Sequence, residues 1–161
     1  MSVDFAPAIE LRVLDPRLED WGLPRYRTDM AAAVDLHACV EAPLSLPPAT
    51  APVLIPVGFA LSIADPHVAA ILLPRSGLGH GRGLVLGNLV GLIDADYQGP
   101  VMVSAWNRNP GGTDPIVVAP GDRIAQMAFV PILRPTFRVV ADFTRRTARG
   151  AGGFGSTGHG G

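Results

Sequence analysis

Asn88, Asp94, Asp96 and Tyr97 fall within one stretch, GLVLGNLVGLIDADYQGPVMVSAWN, between Gly83 and Asn107. A carboxylate beside a bound water can orient it and take its proton, which is the work of a general base in hydrolysis. An amide in an otherwise apolar run costs roughly 1–3 kcal/mol if it is buried without a partner, so Asn88 needs one in the protein or in a ligand. Structural readings compete with these. Asn88, following Gly87, also suits a bulge or turn amide, and Asp94 and Asp96 suit a pair of turn caps. The runs LVLGNLVGLI and VMVSAW on either side of DADYQG predict a β-hairpin.

Other candidates are scattered along the chain. Asp35 interrupts the apolar strand AAAVDLHAC, where its side chain points opposite to Val34 and Leu36; a solvent-facing residue reads equally well. Pro74-Arg75-Ser76-Gly77 follows the apolar run VAAILL. It predicts a strand entering a short helical turn with Ser76 near its N-cap, where free N–H groups, a hydroxyl and an arginine could cradle phosphate. Many Ser-Gly turns bind nothing. Gln126 interrupts IAQMAFVPIL after the turn Pro120-Gly121-Asp122-Arg123, whose last two residues also suit a plain ion pair. Residues 150–161 contain seven glycines and one aromatic, Phe154. Such a tail has too little apolar surface to offset its ordering entropy alone. The preceding Arg149, with the aromatic and the Ser156-Thr157 pair spaced by glycines, also suits a clamp that orders over a phosphate ligand.

Composition narrows the chemistry. All 13 basic residues are arginine, which removes a Walker-type lysine, a Schiff base and a lysine base, and leaves planar forks suited to phosphate. The net charge of −1 gives no global attraction for nucleic acid or anionic lipid, so a phosphate site must be local. One cysteine, Cys39, excludes internal disulfides and cysteine-rich zinc sites, and its apolar setting favours a packed thiol. The four histidines lack metal-site spacing, so a metal would be an oxygen-liganded ion such as Mg²⁺. No leader-like N-terminus or membrane-length apolar run is present, which predicts a soluble, cytoplasmic protein.

The elements that must position these residues are short. Sixteen prolines and nineteen glycines break the chain into β-type runs at 9–14, 34–40, 53–63, 68–73, 84–93, 101–106, 116–118, 124–133 and 137–143. That pattern predicts an all-β barrel or sandwich in one domain. With 48% hydrophobic and 17% charged residues, the chain favours a homo-oligomer.

Five segments in order, AAAVDLHAC, PRSGLG, NLVGLIDADYQG, GDRIAQMAF and RGAGGFGSTG, closely resemble the five motifs of the homotrimeric all-β dUTP pyrophosphatases (dUTPases). The resemblance spans residues 32–158. It implies a single-domain distorted, jelly-roll-like β-barrel over residues 1–147, with a flexible glycine-rich arm over 148–161 and active sites shared in a trimer. It implies Mg²⁺-dependent hydrolysis of dUTP to dUMP and pyrophosphate, limiting uracil in DNA and supplying dUMP for thymidylate synthesis. Asp94 matches the aspartate that activates water. Asn88 and the backbone around Leu92, Ile93 and Met102 match the uracil pocket, and Tyr97 the aromatic under deoxyribose. Arg75, Ser76, Gly77 and Gln126 match phosphate contacts. In the arm, Arg149 matches the γ-phosphate arginine and Phe154 the ring over uracil, with Gly155, Ser156 and Thr157 beside it. Asp35 matches an acid tied through water to the metal–triphosphate region. Ala33 replaces the usual glycine of the first motif, at a cost of about 1 kcal/mol if φ there is positive. Two alternatives stay open: a dCTP deaminase of the same fold, possibly bifunctional, although Glu10, Glu19 and Glu41 lie outside the motifs; and a non-catalytic trimeric nucleotide-binding module. No nucleic-acid or membrane partner is implied.

Overall fold

The computed structural model describes residues 8–152. Ten short strands and two short helices follow one another in the order β1 (Glu10–Val13), α1 (Arg17–Trp21), β2 (Val34–His37), β3 (Leu44–Leu46), β4 (Val53–Ser62), β5 (Val68–Pro74), α2 (Ser76–Gly81), β6 (Leu84–Leu86), β7 (Gly91–Ile93), β8 (Pro100–Asn107), β9 (Ile116–Val118) and β10 (Arg123–Pro131). Two four-stranded sheets, β1-β4-β8-β6 and β2-β10-β5-β7, are joined by a two-stranded ribbon of β3 and β9. Every pairing is antiparallel. The architecture is the all-β fold that the punctuation of the sequence predicts.

Strand periodicity places the core. In β8, Val101, Val103 and Ala105 point inward while Met102, Ser104 and Trp106 are half-buried on the other face. In β4, Ile55, Val57, Phe59 and Leu61 alternate into the same interior, each contributing about 1.5–3 kcal/mol by burial. The β10 ladder slips between Arg123 and Ala125, so both Ile124 and Ala125 become buried and the side chains after the bulge are re-aimed. The helix α1 lies between the expected β-type runs 9–14 and 34–40. It puts Leu18 into the core, where Gly58, at φ +81°, leaves no room for a Cβ because Cys39 Sγ would stand 2.5 Å from it. Cys39 is the packed thiol expected; burial, with Asp15 beside it, pushes its pKa up to about 11.

Three expectations are corrected. The run 84–93 is not one strand of a hairpin: β6 pairs with β8, whereas β7 pairs with β5 in the other sheet. The break is at Gly87, where Pro52 fills the space a Cβ would need, and at Leu89, with φ 64°. The predicted strand 137–143 does not form; Phe137, Val139 and Phe143 are 93%, 98% and 88% exposed, because no edge within the chain receives them. The ribbon strand β3 has no counterpart among the expected strands, since its three residues are too few for a period to show.

Candidate active site

Two groups of the predicted residues come together, at different places. The first is a cleft of about 210 Å³ lined by Leu72, Asn88, Gly91, Leu92, Ile93, Asp94, Tyr97, Pro100 and Met102. Gly91 is required there, since a Cβ would stand 2.8 Å from Leu72 Cβ. Asn88 is exposed in the turn between β6 and β7, and its side chain makes no hydrogen bond among the described residues. The bulge-or-turn reading of its backbone is therefore met, and its amide remains uncommitted. Tyr97 packs over Gly99 and its hydroxyl donates to the Pro100 carbonyl at 2.9 Å, which fixes the ring at the mouth of the cleft. Asp94 and Asp96 are exposed and neither carboxylate caps a backbone N–H among the described residues. Asp96 lines the neighbouring cavity with Ser62, Gln98 and Arg134, while Asp94 borders both.

The second group is an arginine-rich corner at the far end of β5. The register sets Asp35 of β2 opposite Gln126 of β10, and Ala125 opposite Pro74 of β5, so the first, second and fourth motifs meet on one sheet. Arg75 Nε forms an ion pair with Asp35 Oδ1 at 3.1 Å, and Arg123 Nη1 donates to Asp35 Oδ2 at 3.1 Å. A further Arg75 nitrogen donates to the Arg123 carbonyl at 3.0 Å. Gln126 Nε2 donates to the Pro74 carbonyl at 3.1 Å. Ser76 opens α2 as its first residue, with Arg75 extended at the N-cap. Nothing lies within 4 Å of a Cβ built on Gly77, so its backbone is open to approach from outside. Arg27 adds a third guanidinium, 3.7 Å from Asp35 Oδ2; it sits in a loop where no motif pointed to it. His37, on the same strand, has its pKa lowered by burial and by Arg27, Arg123 and Arg75, with Asp35 opposing. Ala33 is not among the positive-φ residues, so the missing glycine costs no strain.

Asp35 is engaged by arginines. Its oxygens face guanidinium groups, and among the described residues no three His, Cys, Asp or Glu side chains gather as ligands. Arg149 is exposed and its Nε donates to the Gly152 carbonyl at 2.9 Å. Phe154, Gly155, Ser156 and Thr157 lie outside the described residues.

Cleft and corner are apart within one chain. Asp94 follows Ile93, which pairs with Ala70, whereas Arg75 follows Pro74 at the other end of β5; at about 3.3 Å per residue the offset is roughly 20 Å. The Arg75 guanidinium also turns toward β2, away from β7.

A family model described as dUTPase matches residues 19–158. The deoxyuridine 5'-triphosphate nucleotidohydrolase of Pasteurella multocida (strain Pm70) is 54% identical over 151 residues, covering 93% of this chain and 97% of the relative. That of Xanthomonas oryzae pv. oryzae is 53% identical over 152 residues, covering 94% and 95%. Among solved structures, a Staphylococcus bacteriophage 80alpha dUTPase mutant with dUpNHpp superposes with a TM-score of 0.78, covering 96% of this chain and 100% of that one at 22% identity. Fold and relatives together place the chain among all-β enzymes that hydrolyse nucleotides. It belongs to the dUTPase family, and its reaction is hydrolysis of dUTP. The deaminase alternative is not favoured: Glu41 is bound to Arg17, and neither Glu10 nor Glu19 lines the cleft.

Proposed function

We propose that the chain works as a homotrimer in which the cleft of one subunit and the arginine corner of another form each active site. The observation that carries this reading is the roughly 20 Å offset along β5 between Asp94 and Arg75, far more than a triphosphate spans. The uracil enters between Leu92, Ile93 and Met102, with Asn88 at its edge. Main-chain groups there satisfy uracil, and cytosine, with its donor and acceptor pattern reversed, would leave them unpaired. Deoxyribose rests on Tyr97, whose ring leaves no place for a 2′-hydroxyl.

Asp94 orients a water molecule toward the α-phosphorus and accepts its proton. The new bond joins the water oxygen to the α-phosphorus, and the bond to the α–β bridging oxygen breaks. Pyrophosphate departs carrying the electron pair. Arg75, the backbone at Ser76 and Gly77, and Gln126 receive the phosphates and stabilise the charge that moves onto the leaving group. Asp35 holds Arg75 and Arg123 in place for this. The arm closes the site with Arg149 on the phosphates and Phe154 over the base, Gly155, Ser156 and Thr157 adding contacts. The family is metal-dependent, and a structure of the phage phi11 dUTPase describes a structural Mg(II) ion. In this chain Mg²⁺ arrives on the triphosphate as part of the substrate. The enzyme works in the cytoplasm, where its nucleotide is; among the described residues no helix is long and apolar enough to cross a membrane.

Turnover in ¹⁸O-labelled water tests the chemistry. Label in dUMP supports attack at the α-phosphorus, and label confined to pyrophosphate refutes it. Parallel assays with dTTP, dCTP and UTP, and of ammonia release from dCTP, test the base pocket.

A further inference from the structure

Asp35 faces three guanidinium groups and carries one negative charge, so this corner holds an excess of two positive charges. The three arginines are not equivalent. Arg75 is tied to Asp35 Oδ1 and to the Arg123 carbonyl, and Arg123 occupies Asp35 Oδ2 at 3.1 Å. Arg27 approaches the oxygen that Arg123 already uses and stops at 3.7 Å, outside hydrogen-bonding range. Its guanidinium donates no hydrogen bond among the described residues, and its side chain is 40% exposed against 29% for Arg75. A long, partly exposed pair of this kind contributes little, so leaving it costs little. Phosphate oxygens offer the same fork a charge-assisted, bidentate partner.

We propose that Arg27 is a further phosphate-binding residue, whose guanidinium moves from Asp35 onto the distal phosphates of the substrate. The inference rests on the reading that this corner receives the triphosphate. Distal rather than α is assigned because the α-phosphorus must lie at the Asp94 carboxylate of the other subunit. Arg75 and Arg123 keep the corner built, and Arg27, on the loop between α1 and β2, is the cation free to follow the ligand. Its role is binding, so it acts on KM rather than on the chemical step.

Steady-state kinetics on the intact protein test this, with inorganic tripolyphosphate and dUMP as competitive inhibitors. Arg27→Gln should raise both the KM for dUTP and the inhibition constant for tripolyphosphate roughly tenfold, the worth of a charge-assisted hydrogen bond. The kcat, the dUMP inhibition constant and the melting temperature should not change, and Arg27→Lys should fall between. Arg75→Gln serves as the benchmark. If it weakens tripolyphosphate and Arg27→Gln does not, Arg27 takes no part and the inference fails alone. If neither variant weakens tripolyphosphate, the corner is not the phosphate subsite and the underlying reading fails with it. A parallel loss of dUMP affinity in Arg27→Gln would also overturn the proposal.

Discussion

The cleft at β7 and the corner at β2-β10-β5 are built on opposite economies. In the cleft the amide and carboxylate are unengaged: Asn88 and Asp94 are exposed, and their side chains hold no hydrogen bonds among the described residues. In the corner the polar groups hold one another, with Asp35 ion-paired to Arg75 and Arg123 and Gln126 donating to a strand carbonyl. The cleft gets its shape from backbone and close packing, as at Gly91 against Leu72. The corner gets its shape from charge. A base needs a rigid outline, which packing supplies; a triphosphate needs fixed cations, which a shared carboxylate supplies. In the proposed trimer, their separation within one chain means that each half works with its complement from a second copy.

The largest effect should come from the cleft. Asp94→Asn keeps the shape and loses the basicity, so kcat should fall roughly 10²–10⁴-fold while nucleotide binding persists; Asp96→Asn, which faces the other cavity, should leave turnover near wild type. Equal losses in the two variants would erase the distinction between the carboxylates. Deleting residues 148–161 should remove most activity if the arm closes the site as proposed. Its melting temperature should stay unchanged, since residues 148–151 are exposed. A truncated chain with full activity would show that neither half needs the arm.

Mixing tests the separation itself. Asp94→Asn and Arg75→Gln are each impaired alone, but trimers reassembled from equal amounts should recover about a quarter of the sites, those with both intact halves from different chains. No recovery would place the whole site in one subunit. Gly91→Ala should destabilise the fold by about 1–3 kcal/mol through overpacking against Leu72, measured by urea unfolding, whereas Gly77→Ala should leave stability intact and weaken phosphate binding. The smallest effect concerns His37. Burial lowers its pKa below the ordinary 6.5, so the unfolded chain protonates first as pH falls. Its contribution to stability is therefore intact above 6.5 and lost progressively below it. His37→Gln should flatten that part of the profile of melting temperature against pH.

Most strands were legible because their alternation is long enough to see, as in β4 and β8. The run 84–93 misled because periodicity records which residues are apolar, not which neighbour they pair with; only the positive φ at Leu89 and the crowding at Gly87 reveal the change of sheet. The segment 137–143 carries strand-forming residues without an edge in its own chain to join, and a single sequence does not say where such an edge is. Asp94, Tyr97 and Arg75 were legible through their motifs. Arg27 was not, because it stands outside every motif and acquires meaning only from its proximity to Asp35.

The cleft is walled by both layers of the molecule: Leu72 and Gly91 to Ile93 belong to one sheet, Pro100 and Met102 to the other. The relative placement of its walls therefore depends on how the two layers pack, about 10 Å apart in packed sheets. The interior side chains act as the spacers of a caliper. Val57, Phe59 and Val101, none of which lines the cleft, are all but fully buried in that interior. A methylene gained or lost among them should alter the gauge, and with it the discrimination between nucleotides, at residues that do not line the cleft.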